Sequence, residues 1–181
     1  MIIVVGLPGV GKTTIIQEAS TKGWEIINYG SLMFELAKNE FGISSRDEIR
    51  KLDEKKQEKL QKKVGDYLAK RKEKNLILDT HCSIHTNNGY LPGLPFNLLK
   101  KLQVEKLILI TAPIDDILKR RQIDQGRERD FQSKESIIEH EQLNMAYLAA
   151  YSVISGAPVS IIKNLDNKLE DSKKRFLELL E

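Results

Sequence analysis

The sequence predicts an α/β fold built on a parallel sheet. Short apolar runs rich in β-branched residues recur along the chain, separated by longer polar or amphipathic stretches. Continuous apolar runs suit strands buried on both faces of a sheet, and their alternation with helices is typical of α/β domains. A glycine-rich motif directly follows the first run. Such sheets bind ligands at the carboxyl ends of their strands.

Five runs account for the predicted sheet. The run at Ile2–Val5 and those at residues 76–78 and 107–110 are the most apolar. A weaker run at residues 159–162 predicts a further strand, and residues 24–27 can supply one more.

Helices are predicted between and after these runs, at residues 13–21, 46–74 and 166–181. In residues 46–74 the apolar side chains recur about every 3.6 residues. Ser45, with Glu48 three positions later, forms a capping-box pattern at the start of this segment. Its twelve basic and seven acidic residues give a local charge of +5. That charge fits either a solvated helix face or a basic rim around a phosphate-bearing pocket.

Length and composition indicate one globular domain. The chain has 181 residues, of which 40% are hydrophobic and 30% charged, and a net charge of +3 does not require nucleic acid as a partner. Cys82 is the single cysteine, so no internal disulfide forms and a reducing compartment suits the chain. No apolar run approaches the ~20 residues of a membrane span, and the first residues lack the pattern of a signal peptide. We therefore expect a cytoplasmic protein.

The decisive motif spans residues 6–13 and matches G-x-x-x-x-G-K-[ST]. Glycines permit the tight backbone path, and the loop amides then surround a phosphate group. The lysine adds a positive charge near the β- and γ-phosphates, and the hydroxyl after it is placed to bind Mg²⁺. We expect a nucleoside triphosphate to be held by this loop: Gly6, Leu7, Pro8, Gly9, Val10, Gly11, Lys12, Thr13 and Thr14.

An aspartate ends the predicted strand at 76–78. Asp79 has the position of a Walker B carboxylate, which holds Mg²⁺ mainly through the water shell of the ion. The alternative is a strand-end aspartate that caps the next turn. His81 and His85 follow, but no further His or Cys stands at ligand spacing, so a transition-metal site is not expected. Cys82 is interpreted as a packed small residue.

Four arginines crowd one short stretch: Arg120, Arg121, Arg127 and Arg129. The planar guanidinium matches phosphate geometry, and a loop that carries arginines can close over phosphates and exclude water. The alternative is a solvated helix end with Arg/Asp pairs. For Arg120 the two interpretations are evenly balanced, because adjacent arginines are not expected to point into one site.

Taken together, the segments resemble the archaeal type of adenylate kinase over nearly the whole chain. Besides the phosphate loop, the resemblance rests on INYG at 27–30, RDEIRKL at 46–52, DTH at 79–81, GYLPGLP at 89–95 and RERD at 127–130. GYLPGLP and RDEIRKL are the more specific segments. With two prolines and two glycines, GYLPGLP is interpreted as a rigid loop, which either walls the acceptor pocket or is purely structural.

The resemblance implies a P-loop NTPase fold of three α/β/α layers, with a five-stranded parallel sheet, a helical AMP-binding insertion and a short lid. It implies reversible, Mg²⁺-dependent phosphoryl transfer from ATP to AMP, giving two ADP. The single domain would divide into a core (1–28, 75–120 and 131–181), an AMP-binding arm (29–74) and a lid (121–130). Relatives of this type include monomers and homotrimers, so the oligomeric state stays open.

Site roles also follow from the resemblance. The catalytic residues at the transferring phosphoryl group would be Lys12, Arg121, Arg127 and Arg129. Mg²⁺ would be positioned by Thr13 and Asp79. The acceptor AMP would be bound by Tyr29, Gly30, Arg46, Arg50, His81 and His85. Two positions depart from the pattern: His85 stands where an arginine or lysine is expected, and Met145 stands where an arginine commonly follows Asn144.

Two other functions remain open. One is a nucleoside monophosphate kinase of the same fold acting on CMP, UMP or GMP. The other is a related ATPase that acts in ribosome maturation, which a basic surface would suit. Against an RNA platform, aromatic residues make up only 6% of the chain.

Overall fold

The computed structural model describes residues 1–50, 52–71, 73–86, 88–123 and 133–181, with backbone alone at Asp47, Arg50 and Glu54. The strands in this part of the chain are β1 (Ile2–Val5), β2 (Glu25–Asn28), β3 (Leu76–Asp79), β4 (Ser83–Thr86), β5 (Gly89–Pro92), β6 (Lys106–Thr111) and β7 (Val159–Lys163). Five of them form a parallel sheet in the order β2-β3-β1-β6-β7. The predicted parallel sheet and all five of its predicted strands are confirmed.

Helices lie on both faces of this sheet. They are α1 (Lys12–Ile16), α2 (Tyr29–Phe41), α3 (Arg46–Arg50), α4 (Glu54–Lys70), α5 (Phe96–Leu99), α6 (Ile114–Ile123), α7 (Lys134–Ser155) and α8 (Leu169–Glu178). Ile3 and Val5 of β1 face one apolar cluster with α2, α4, α5 and α7, while Ile2 and Val4 face a second with α1, α6 and α8. This alternation follows from the two-residue period of a strand and produces the three predicted layers.

The predicted helix over residues 46–74 is wrong as a single helix. The structure has two helices there, and Asp53 stands before the second with extended backbone angles (φ −62°, ψ 159°). Its side chain accepts a hydrogen bond from the Lys56 amide at 2.9 Å. Aspartate competes with helix continuation in this way and favours an N-cap, so the apolar period runs through a break in the backbone.

The other helix predictions are confirmed with shifted ends. The helix predicted at 13–21 begins at Lys12 and continues from Gln17 to Lys22 as a 3-10 helix. The closing helix, predicted at 166–181, spans Leu169–Glu178. In the described parts of the chain, no helix has both the length and the apolar content that a bilayer crossing requires.

The GYLPGLP segment is not only a rigid loop. Its first four residues form β5, which pairs with β4 in an antiparallel hairpin. The sequence does not indicate this second sheet, because β4 is half polar and the pairing is set by the partner strand. Gly93 follows, and a Cβ placed on it would lie 1.9 Å from the His81 carbonyl oxygen. The backbone therefore passes itself at a distance that only glycine permits.

Helix α7 holds this hairpin segment through a stripe of polar side chains. The Tyr151 hydroxyl donates to the Cys82 carbonyl at 2.7 Å and accepts from the Leu94 amide at 2.9 Å. One and two turns nearer the start of α7, Tyr147 donates to the Tyr90 carbonyl and Asn144 accepts from Ser83. These contacts fix the segment after Asp79 on the helical layer.

We predict that Tyr151→Phe lowers the free energy of unfolding by about 1–3 kcal/mol, because the buried Leu94 amide loses its acceptor. The Cys82 carbonyl loses one of its two donors and keeps the Gly93 amide. Denaturant unfolding monitored by circular dichroism measures the change. Tyr67→Phe is the matched control, since this ring is 40% exposed and its hydroxyl accepts a hydrogen bond from Arg71 at the surface. Equal losses in the two variants would contradict the role given to the Tyr151 hydroxyl.

Candidate active site

The glycine-rich loop lies at the carboxyl edge of the sheet, between β1 and α1. A Cβ on Gly6 would stand 2.4 Å from the Ile110 carbonyl oxygen, so the loop starts in direct contact with the backbone of β6. Gly9 and Gly11 have φ values of 96° and 85°, a conformation that favours glycine. Gly11 is also the N-cap residue of α1. The loop therefore has the close-packed path that its glycines predict.

Side chains from α6 and from the residue after β7 bind the carbonyl groups of this loop. The Asn164 amide donates to the Val10 carbonyl at 2.8 Å, and Arg120 donates to the same oxygen at 3.2 Å. Arg121 donates from Nε to the Pro8 carbonyl at 2.9 Å. With carbonyls held from outside, the loop keeps amide donors available for an anion. The adjacent arginines both reach the loop, at different carbonyls.

Lys12 forms a buried ion pair with Asp79, the carboxylate that ends β3. Their side chains are 10% and 6% exposed. Burial lowers the pKa of Lys12 to about 8, because desolvation disfavours the charged ammonium. The parallel register sets Asp79 beside Val4 of β1, one residue before the end of that strand, and so brings the carboxylate to the loop.

The carboxylate oxygens of Asp79 and the hydroxyl oxygen of Thr13 fit a magnesium ion that is bound mostly by phosphate and water. Asp79 is buried, and Thr13 is exposed at the first turn of α1. Carboxylate and hydroxyl oxygens are ligands that Mg²⁺ accepts, and one or two protein ligands are its usual number in phosphate sites. Among the described residues, no group of three or more His, Cys, Asp or Glu side chains forms a metal cage.

A second hydrogen-bonded link leads from Asp79 to the helices between β2 and β3. The side-chain amide nitrogen of Asn28 donates to Asp79 Oδ2 at 2.8 Å. The side-chain oxygen of Asn28 accepts from the Ser31 backbone amide at 2.9 Å and from the Ser31 hydroxyl at 3.0 Å. Arg46 donates to the Ser31 hydroxyl at 2.8 Å. Arg46, a predicted AMP residue, is thus connected to the loop lysine through three side chains.

The remaining predicted acceptor residues lie in different surroundings. Tyr29 is 5% exposed and packs in the core, while Gly30 is exposed, with Asn28 Oδ1 3.5 Å from a Cβ built on it. His81 and His85 are exposed on the segment after β3. The Arg50 side chain and the lid arginines Arg127 and Arg129 lie outside the described residues.

His85 stands at the outer end of a ring ladder. Its ring lies 4.8 Å from Tyr90, and Tyr90 lies 4.8 Å from His140. Desolvation lowers the pKa of His140, and the nearby charges of His85 and Arg121 act in the same direction. The hydrogen bond that His140 donates to the Ser83 backbone carbonyl acts against this shift and raises the pKa. The His140 ring is therefore close enough to feel the charge of His85 on the hairpin and the charge of Arg121 at the phosphate loop.

The sequence predicts no role for three residues of this site: Asn28, which lies within the INYG segment, Ser31 and Asn164. For two of them the sequence does carry a signal. Asn28 directly follows the apolar run at 24–27, and Asn164 stands two positions after the run at 159–162. A polar side chain at the carboxyl end of a parallel strand faces the ligand crevice. Ser31 carries no such signal.

A separate cavity of about 750 Å³ lies between α4 and α5. Lys62, Lys100 and Lys101 stand around it, with Gly65 and Leu98 on its walls. It contains none of the predicted site residues. The candidate active site is the open edge at the loop, where the lysine, the aspartate and the arginines meet.

Comparison with known proteins shows the fold and the family of the chain. Residues 5–138 match the family model described as "AAA domain". In the solved structures, the shikimate kinase from Acinetobacter baumannii in complex with shikimate superposes with a TM-score of 0.60, covering 99% of this chain and 91% of that one. At 18% identity this likeness shows the fold alone.

Curated relatives are much more similar. The adenylate kinase of Methanocaldococcus jannaschii is 42% identical over 99% of this chain and 97% of its own length. That of Methanopyrus kandleri is 43% identical over 98% and 96%. Similarity of this degree over both whole lengths confirms the resemblance read from the motifs. The chain belongs to the adenylate kinase family.

Proposed function

We propose that this protein catalyses the reversible, Mg²⁺-dependent transfer of the γ-phosphoryl group of ATP to AMP, giving two ADP. The observation that carries the proposal is the juxtaposition of Lys12 and Asp79 at the phosphate loop, in a chain 42–43% identical to adenylate kinases over nearly its whole length. In this proposal residues 29–74 are the AMP-binding arm, residues 121–130 the lid and the rest the core.

The donor triphosphate is held by the loop amides and by Lys12. Phosphoryl transfer spreads negative charge over the transferring group, and its barrier falls chiefly through positioning and charge neutralisation. Lys12 leaves Asp79 for the phosphates when ATP binds, so the pair exchanges one buried ionic partner for another. Thr13 and Asp79 would hold Mg²⁺, which would supply positive charge against the negative charge of the triphosphate.

The arginines complete the charge around the phosphoryl group. Arg121 stands at the loop through its bond to the Pro8 carbonyl. Arg127 and Arg129 belong to the lid in this proposal and close over the phosphates, which excludes water as an acceptor. No general base is needed, because a phosphate oxygen of AMP is already ionised at neutral pH.

The acceptor AMP lies between the arm and the segment after Asp79. Arg46 and Arg50 on the arm, with His81 and His85 opposite, supply cationic and hydrogen-bonding groups for its phosphate. Gly30 is exposed at the start of α2 and has no side chain, so the nucleoside can approach the backbone there, beside the buried Tyr29. A small cluster of Ala37, Ile43 and Leu60 gives α2 and α4 an apolar contact of their own, which suits an arm that moves as a unit.

We further propose a cytoplasmic location. A nucleotide-converting enzyme needs the cellular pool of ATP and AMP. The single cysteine, Cys82, is buried and free, and a chain without an internal disulfide suits a reducing compartment.

A panel of monophosphates tests the function. With ATP and Mg²⁺, we expect AMP to exceed CMP, UMP and GMP by more than about tenfold in kcat/KM, a discrimination worth roughly 1.4 kcal/mol in the transition state. ADP formation is measured by a coupled assay. A preference for another monophosphate would change the acceptor, and release of free phosphate without AMP would favour an ATPase.

Lys12→Met should reduce kcat by at least about a thousandfold, because the ammonium at the transferring phosphates is lost. Initial rates of ADP formation give this number, and circular dichroism confirms that the variant is folded. Lys22→Met, at the exposed end of the 3-10 helix, is the control and should keep the activity of the unchanged protein. Retention of most of the activity in Lys12→Met would remove the mechanism.

The lowered pKa of Lys12 predicts a pH dependence of ATP binding. In the free protein the ammonium loses its proton as the pH rises through about 8, whereas a bound triphosphate raises this pKa. Affinity for ATP should therefore be full below pH 8 and fall up to about tenfold per pH unit above it, with uptake of a proton on binding.

Titration calorimetry at about pH 9 in two buffers of different ionisation enthalpy measures this uptake directly. The same titrations on Lys12→Met should show none. Equal proton uptake in both proteins would assign it to another group.

A further inference from the structure

An unbroken series of side-chain contacts joins the phosphate loop to the helices of the proposed arm. It runs from Lys12 through Asp79, Asn28 and Ser31 to Arg46. Its two ends are groups that the proposed mechanism assigns to different nucleotides, Lys12 to the donor and Arg46 to the acceptor. The residue in the middle, Asn28, has no role in that mechanism.

The side-chain amide of Asn28 uses both of its polar atoms, the nitrogen toward Asp79 and the oxygen toward Ser31. The Ser31 backbone amide can only donate, so the atom of Asn28 that faces it at 2.9 Å is the oxygen. The nitrogen therefore faces Asp79 and donates to Oδ2 at 2.8 Å. With Oδ2 held by this bond, Oδ1 is the carboxylate oxygen that pairs with Lys12.

The topology of the sheet explains why this position can serve both sides. Asn28 is the last residue of β2 and stands opposite Asp79 in the parallel register. It is also the N-cap residue of α2, the first helix of the arm. A side chain at this corner can therefore orient the carboxylate of the neighbouring strand while it caps the helix.

We propose that Asn28 is a positioning residue that sets the orientation of Asp79 on the donor side and, through Ser31, of Arg46 on the acceptor side. Both polar atoms of its side-chain amide are bound by protein groups, so it acts through Asp79 and Ser31. This inference rests on the proposed function for the assignment of the two sides. Its specific content is that the two halves of one amide have separable effects.

Three substitutions divide the amide into its two functions. Asn28→Ser keeps an oxygen that can cap α2 and removes the donor to Asp79. Ser31→Ala keeps the capped backbone amide and removes the hydroxyl that Arg46 contacts. Asn28→Ala removes both. Asn97→Ser, an exposed asparagine on α5, is the matched control for the change of residue type.

Steady-state kinetics should separate the variants. Asn28→Ser should lower kcat about tenfold with KM for AMP within about twofold, since a bond to a carboxylate is lost on the donor side alone. Ser31→Ala should raise KM for AMP about fivefold with kcat within about twofold. Asn28→Ala should show both changes, and Asn97→Ser neither.

Binding gives a second readout that does not depend on turnover. Calorimetry measures the ratio of the ATP dissociation constants in EDTA and in Mg²⁺. Asn28→Ser should reduce this ratio about tenfold, because Asp79 is no longer held toward the loop, while Ser31→Ala should leave it unchanged. The midpoint of thermal unfolding, measured for each variant, reports any loss of the α2 cap.

The proposal is overturned if Asn28→Ser leaves both kcat and the Mg²⁺-dependent ratio unchanged. It is also overturned if every variant alters both sides in proportion to its loss of thermal stability, which is the behaviour of a structural cap. A different result concerns the proposed function. If the unchanged protein forms no ADP from ATP and AMP, the proposed function fails. If that protein is active but the variants do not separate the effects on the donor side from those on the acceptor side, only the role of Asn28 is rejected.

Discussion

The buried pair of Lys12 and Asp79 is the interaction on which the active edge of this protein depends. An ammonium and a carboxylate that are both about nine-tenths buried stabilise each other, and removal of either leaves the other without compensation. The pair also joins the two strands at the centre of the site, because Lys12 follows β1 and Asp79 ends β3. The loop, the proposed magnesium position and the link to Arg46 are all arranged around this pair.

The rest of the fold brings the partners of this pair to one edge. Parallel strands end on the same side of a sheet, so residues from β1, β2, β3, β6 and β7 meet there although they are far apart in sequence. Asn164 reaches Val10 across 154 positions of the chain. The sheet packs against helices on both of its faces, because alternate residues of β1 enter different apolar clusters.

The sequence predicts this framework well because its signals are local. Apolar runs of β-branched residues identify the strands, and the glycine-lysine motif identifies the loop with Asp79 as its acidic partner. The predictions fail where a local competitor decides, as at Asp53, which caps α4 and divides a stretch of regular apolar period. They also fail where a strand needs its partner to form, as in the hairpin of β4 and β5.

The side-chain network of the site could be predicted only in part. Lys12, Asp79 and Arg121 follow from motif and charge, and the structure brings all three to the loop. The contacts of Asn28, Ser31 and Asn164 depend on strand register and on the direction of single amide groups, which no pattern of residue types encodes. The ladder of His85, Tyr90 and His140 likewise depends on how α7 packs on the hairpin.

The burial of Cys82 has a practical consequence for spectroscopy of this molecule. Its thiol donates to the Asn144 carbonyl at 3.2 Å, and desolvation raises its pKa to about 12, so very little reactive thiolate forms in neutral solution. A cysteine introduced on a well-exposed surface, such as at Val153, which is 85% exposed, would react with a maleimide fluorophore far faster. Dyes could therefore be attached to this chain to follow distances between its parts without first replacing the native residue.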